Sequence, residues 1–179
     1  YYTWDRDNQN DVILRLTGIM KDAGASYNDT LPLSASEPFV YTYSSKASGD
    51  GSYLYEDFIA EQDGWPADPA PAKLMDLLCE KYGVDDSLTA AQKRAVVGVR
   101  FEMERRDFSS YTPFTFASDI DVETVSLIAE RSHELPGVNV EVEDVREYTT
   151  DYAAQIAFER FFHARFANDV IIGVAVVLE

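Results

Sequence analysis

The sequence closes on Val170-Ile171-Ile172-Gly173-Val174-Ala175-Val176-Val177-Leu178, its longest apolar run. At nine residues this is less than half of the roughly 20 that span a bilayer as a helix, so it reads as a buried strand. A buried strand needs apolar cover. With 46% hydrophobic and 13% aromatic residues in 179, the chain has ample material for a packed core, enough for one domain or a domain with a small lobe. The start, Tyr1-Tyr2-Thr3-Trp4-Asp5-Arg6, shows neither the basic stretch nor the apolar run of a secretory signal, as expected of a mature or trimmed chain.

Charge narrows the partners. Against 15 Lys plus Arg stand 32 Asp plus Glu, a formal net charge of −17. A uniformly acidic domain repels phosphate backbones and anionic headgroups, which argues against nucleic-acid binding and electrostatic membrane docking. Residues 119–151 hold ten acids and two bases, mostly on the polar side of periodic elements, the pattern of a solvated face. The single cysteine, Cys79, excludes an internal disulfide and any Cys-x-x-Cys motif; beside Leu77 and Leu78 it reads as an inert, half-buried thiol.

Local signals alternate between helix and strand. Val12, Ile13, Leu16, Ile19 and Met20 recur at helical spacing from Asp7 to Lys21, with Asp7 or Asn8 as cap and Gly24 as stop. Pro38 to Tyr43 reads as a strand within a loop region, and Tyr53 to Glu61 as a short helix. Pro71 suits the first turn of a helix carrying Leu74, Leu77, Leu78 and Tyr82, ended by Gly83. Thr89 and Gln92 have capping-box spacing. The helix they open fits a strand period beyond Val97, but Ala95, Val99 and Met103 also share a helical face, and helix to about Arg105 is preferred. Tyr111 to Ser118 reads as a strand. Asp121 caps a helix through Val125, Ile128 and Ala129, and Leu135-Pro136-Gly137 stops it. Val138, Val140 and Val142 then alternate with Asn139, Glu141 and Glu143, a strand with one wet face. Helices and short strands without a regular βαβ order indicate an α+β fold.

Chemistry is sparse. His133 and His163 lack metal-ligand spacing, so neither a metal nor a cofactor is expected. Asp5 to Asp11 looks superficially like a calcium loop, yet Asn10 stands where the turn wants Gly and Leu16 where it wants Glu. Glu102 with Glu104, or Asp119 with Asp121, have the proximity of acid/base pairs, but among 32 carboxylates such pairs arise by chance. There is no Gly-x-Ser-x-Gly elbow and no Gly-x-x-x-x-Gly-Lys loop, and Asn28-Asp29-Thr30 is only a formal glycosylation sequon. The residues describe a non-catalytic module. A free-standing extracellular acidic module for a cation or sugar is the alternative, favoured by charge alone; a small carboxylate hydrolase has no motif in its favour.

Two stretches carry a resemblance. Asn8-Gln9-Asn10-Asp11-Val12-Ile13-Leu14-Arg15-Leu16 with Tyr27-Asn28-Asp29-Thr30-Leu31-Pro32-Leu33 is one. The other runs from Tyr111-Thr112-Pro113-Phe114-Thr115-Phe116-Ala117 through Glu134-Leu135-Pro136-Gly137-Val138 to Val145-Arg146-Glu147-Tyr148. Together, over roughly Trp4 to Ile156, they resemble the pedestal, or dimerisation, domain of Gram-positive-type class B penicillin-binding proteins. The resemblance implies that Arg15, Pro136, Gly137, Arg146 and Tyr148 are structural motif residues. It also implies a place on the extracytoplasmic face of the plasma membrane, with a transpeptidase domain, other cell-wall synthesis proteins or a second copy as partners.

The activity of that family, D,D-transpeptidation in peptidoglycan synthesis, resides in a second domain with Ser-x-x-Lys, Ser-x-Asn and Lys-Thr/Ser-Gly motifs. No Ser here has Lys three residues later, no Lys precedes Thr-Gly or Ser-Gly, and Ser26-Tyr27-Asn28 stands without partner motifs. Gln155 replaces the usual His of an Ala-Ala-His-Ile step. Residues 168–179 resemble the last strand of a transpeptidase domain, as though most of that domain were absent. The expected organisation is a pedestal over 1–158, with a helical and loop lobe at about 26–107, followed by a C-terminal segment at 159–179. Within it, Ala153 to Phe166 would form a helix with an aromatic face.

Overall fold

The computed structural model describes residues 8–42, 58–109, 112–145 and 171–178, with backbone alone over 142–145 and 171–178. Helix α1 spans Gln9–Ala23 and buries Val12, Ile13, Leu16, Ile19 and Met20, the stripe its period demands. It ends at Gly24, whose φ of 68° lets its N–H turn back to the Lys21 and Met20 carbonyls. Asn8 stands at the N-cap but makes no side-chain capping bond, because its φ of −106° and ψ of 1° depart from the extended geometry that aims a cap at the first turn; Asp7 lies outside the described residues.

Helix α2, Pro71–Tyr82, starts on its proline and stops at Gly83 with φ 61°. Helix α3, Ala90–Arg105, opens with the capping box: Thr89 N–H donates to Gln92 Oε1 at 3.0 Å and Gln92 N–H to Thr89 Oγ1 at 3.4 Å. It stays helical through the stretch whose period also suited a strand, packing against both α1 and α2. Val96, Val97, Val99, Phe101 and Met103 are all buried, so neighbours cover it on more than one side. Helix α4, Val122–Glu130, is capped by Asp121 accepting from Thr124 N–H, and packs on α1.

Three expectations need correction. Within 38–42 no strand forms; Tyr41 makes one isolated bridge to Leu33, and residues 34–40 fold as a tight loop with Ser34 and Val40 bonded to each other. The strand expected from Tyr111 is confined to β1, Phe114–Ala117, because Thr112 is taken by a local bridge to Ser109. Helix α4 ends before Leu135-Pro136-Gly137, passing into a 3-10 turn at Ser132–Glu134; Gly137 then turns the chain at φ 79°. Of the short helix expected from Tyr53, residues 58–60 are helical and the earlier part lies outside the described residues.

The sheet has the order β1-β3-β2, with β2 at Val138–Val145 and β3 at Ile171–Leu178. Both pairings are antiparallel. Phe114 lies opposite Leu178 on one side, and Val138 opposite Leu178 on the other, the latter register continuing unbroken to Val145 opposite Ile171. The terminal apolar run is thus flanked on both edges, and a register irregularity between Thr115 and Ala117 marks the β1 side. Phe114 and Phe116 are fully buried, joining the sheet to the helical core. The helix expected at Ala153 to Phe166 lies outside the described residues.

Candidate functional site

Residues four apart on a helix share a face, and on α3 that rule lines up Arg94, Gly98 and Glu102. Buried Arg94 reaches the segment 27–33: Nη1 donates to Asp29 Oδ2 at 2.7 Å, and Nη2 to the carbonyls of Leu31 at 3.0 Å and Leu33 at 2.9 Å. Two turns on, Glu102 accepts from the Thr30 hydroxyl. Gly98 lies beneath the crossing, where an added Cβ would fall 2.4 Å from both Arg94 Nη1 and Asp29 Oδ2. The other side of the segment is tied to β1. Asn28 N–H and Nδ2 donate to the carbonyls of Phe116 and Thr115, each at 2.8 Å, and the Tyr27 ring stacks on Phe116 at 5.1 Å. Residues 27–33 therefore form a strap binding α3 to the sheet.

Glu102 is 0% exposed and charged. Burial, the largest single influence, opposes that charge. The Thr30 hydroxyl and the guanidinium groups of Arg105, at 3.1 Å, and Arg106, at 3.0 Å, together outweigh it and hold the carboxyl below the usual glutamate range. Glu104, two residues on, faces elsewhere: it accepts from Lys81 Nζ at 2.6 Å and the Tyr82 hydroxyl at 2.8 Å. Burial, and then Glu104, push the Tyr82 hydroxyl well above the tyrosine range. Asp121 is committed to capping α4, its carboxyl held low by the Thr124 N–H. Glu102, Glu104 and Asp121 thus each have structural work.

The motif residues of the two resembling stretches meet. Arg15 Nη1 lies 3.3 Å from Glu134 Oε2, and both border a shallow cavity of about 290 Å³ together with Asn8, Asp11, His133 and Pro136. Arg146, Tyr148, Gln155, His163 and the Ser44-Ser45-Lys46 stretch lie outside the described residues. Cys79 is half-buried, and burial raises its thiol pKa, as an inert thiol requires. Among the described residues no three His, Cys, Asp or Glu side chains group to hold a metal ion, and no helix is long and apolar enough to cross a membrane. Phe39 and Tyr41 pack against the core, whereas Val40 between them is 53% exposed.

The family model of the penicillin-binding protein dimerisation domain matches residues 6–157. The chain belongs to that family. The match spans α1, the strap, α2, α3, β1, α4 and β2, and the mixed helix-and-strand architecture agrees with a dimerisation domain. No curated protein and no solved structure matches the chain significantly. Within this dimerisation domain, sequence reasoning missed the polar row on α3. Glu102 with Arg105 and Arg106 at three and four residues was a legible helical signal. Asp29 and Thr30, more than 60 residues away, gave none.

Proposed function

We propose that this chain is the non-catalytic pedestal of a class B penicillin-binding protein, standing outside the cell and positioning a D,D-transpeptidase for peptidoglycan synthesis. The family match over residues 6–157 carries the reading. The transpeptidase domain of the parent protein, other cell-wall synthesis proteins and a second copy of the chain are its proposed partners. A rigid link between helices and sheet, such as the 27–33 strap provides, suits a spacer that must transmit position. In the same reading Arg15, Pro136, Gly137, Arg146 and Tyr148 shape the domain and touch no substrate. The proposed division is a pedestal at 1–158 followed by a C-terminal segment at 159–179, whose strand β3 completes the sheet between β1 and β2.

Labelling with a fluorescent penicillin tests the non-catalytic part: the 179-residue chain takes up no covalent label, and a labelled band at 20.1 kDa would overturn the proposal. Sedimentation equilibrium tests self-association. A mass of twice 20.1 kDa at micromolar concentration is expected of a homodimer, and a monomer there removes the second copy from the partners.

A further inference from the structure

Near the C-terminal ends of α2 and α3, the Lys81 ammonium occupies surroundings composed like those of a bound cation. Nζ donates to Gln62 Oε1 and to Glu104 Oε1, both at 2.6 Å. It lies 4.6 Å from the Phe58 ring centroid, 5.7 Å from that of Tyr82 and 6.0 Å from that of Trp65. An ammonium has three protons. Two go to oxygen here, and the negative face of Phe58, the nearest ring, is placed for the remaining field of the charge.

The surrounding groups are braced independently of the lysine. Phe58 meets Trp65 edge-to-face at 6.2 Å and Phe101 at 4.9 Å. Gln62 Nε2 donates to the Phe58 carbonyl at 3.0 Å, and the Tyr82 hydroxyl donates to Glu104 Oε2 at 2.8 Å. The Arg100 guanidinium also lies over the Tyr82 ring, at 5.3 Å, so Tyr82 is shared while Phe58 and Trp65 face Lys81. Two acceptors converging on one nitrogen suit a compact point charge better than the planar fork of a guanidinium.

We infer that Phe58, Gln62, Trp65, Tyr82 and Glu104 form a primary-ammonium site, which the chain fills with its own Lys81 and which binds a free alkylammonium ion when that side chain is shortened. Filled, the site latches the 58–65 segment onto α2 and α3.

The test uses the full chain carrying Trp4→Phe, which leaves Trp65 as its one tryptophan of the two present. With Lys81→Ala added, titration with n-propylammonium is expected to give a saturable change in Trp65 fluorescence. Propanol, the neutral analogue, gives none, and tetramethylammonium, which has no proton for Gln62 or Glu104, binds more weakly. Adding Glu104→Gln weakens propylammonium binding about tenfold, since a charge-assisted bond becomes a neutral one. The chain with Lys81 intact does not respond. A folded Lys81→Ala chain without a saturable response, or an equal response with Lys81 present, overturns the inference. Should Lys81→Ala not fold, reductive methylation of the natural sequence decides. Lys81 is expected to react at least about tenfold more slowly than Lys21 and Lys73, because its nitrogen is held by Gln62 and Glu104; equal rates overturn the inference.

Discussion

Glu102 shows how much a single buried charge asks of its neighbours. It is sealed from water, and its ionisation is maintained by Thr30, Arg105 and Arg106. Glu102→Gln should destabilise the domain by about 3 kcal/mol in urea unfolding, at the low end of the cost of breaking a buried ion pair, because Arg105 and Arg106 are partly exposed and regain water. Arg94→Met should cost about 3 to 5 kcal/mol, since it strips Asp29 of its buried cation and the Leu33 carbonyl of its guanidinium donor at once, and leaves the Leu31 carbonyl only the Leu33 N–H. The pH dependence has a definite sign. The folded Glu102 carboxyl titrates below its ordinary 4.5, so its contribution is complete above that value and is lost as pH falls through the lower folded pKa. Urea midpoints measured from about pH 6 down to about pH 3 should fall less steeply in Glu102→Gln than in the natural chain; equal slopes would show that Glu102 contributes nothing to the acid limb.

At the scale of elements, the two helical glycines make a contrast that local propensity alone misjudges. Each sits inside a helix, where Ala is ordinarily favoured by about 1 kcal/mol. At Gly18 nothing lies within 4 Å of an added Cβ, so Gly18→Ala should stabilise by about 0.5 to 1 kcal/mol. At Gly98 the same methyl collides with the Arg94–Asp29 pair, so Gly98→Ala should lower the thermal midpoint instead. Differential scanning calorimetry of the two variants gives opposite signs if the strap crosses α3 as described.

The same elements show what the sequence discloses. Proline starts, glycine stops and the Thr89–Gln92 box act within a few residues of themselves, and α1, α2, α3 and α4 were legible for that reason. The apparent strand at Pro38 is part of a loop held at Ser34 and Val40, whose closure is a matter of hydrogen bonds that an apolar-aromatic run does not disclose. The strap was invisible as a site because its partners on α3 lie 61 to 72 residues away. Arg15 and Pro136 were identified through resemblance; their shared cavity with Glu134 follows only from the packing of α1 against the turn after α4.

For the whole molecule, net charge and sheet order matter most. A formal charge of −17 on 179 residues means that folding gathers like charge, and salt relieves this for exposed groups more than it weakens the buried pairs. Raising sodium chloride to about 0.5 M should therefore raise the thermal midpoint, and a fall would show that exposed ion pairs dominate instead. The strand order has a further consequence, in time. Because β3 stands between β1 and β2, neither outer strand can be satisfied by the other. As the polypeptide leaves the ribosome, residues 114–117 and 138–145 emerge well before the strand that joins them, and Phe114 and Phe116 wait on a sheet that does not yet exist. The helices can assemble during synthesis, whereas the sheet closes last, once residues 171–178 have emerged.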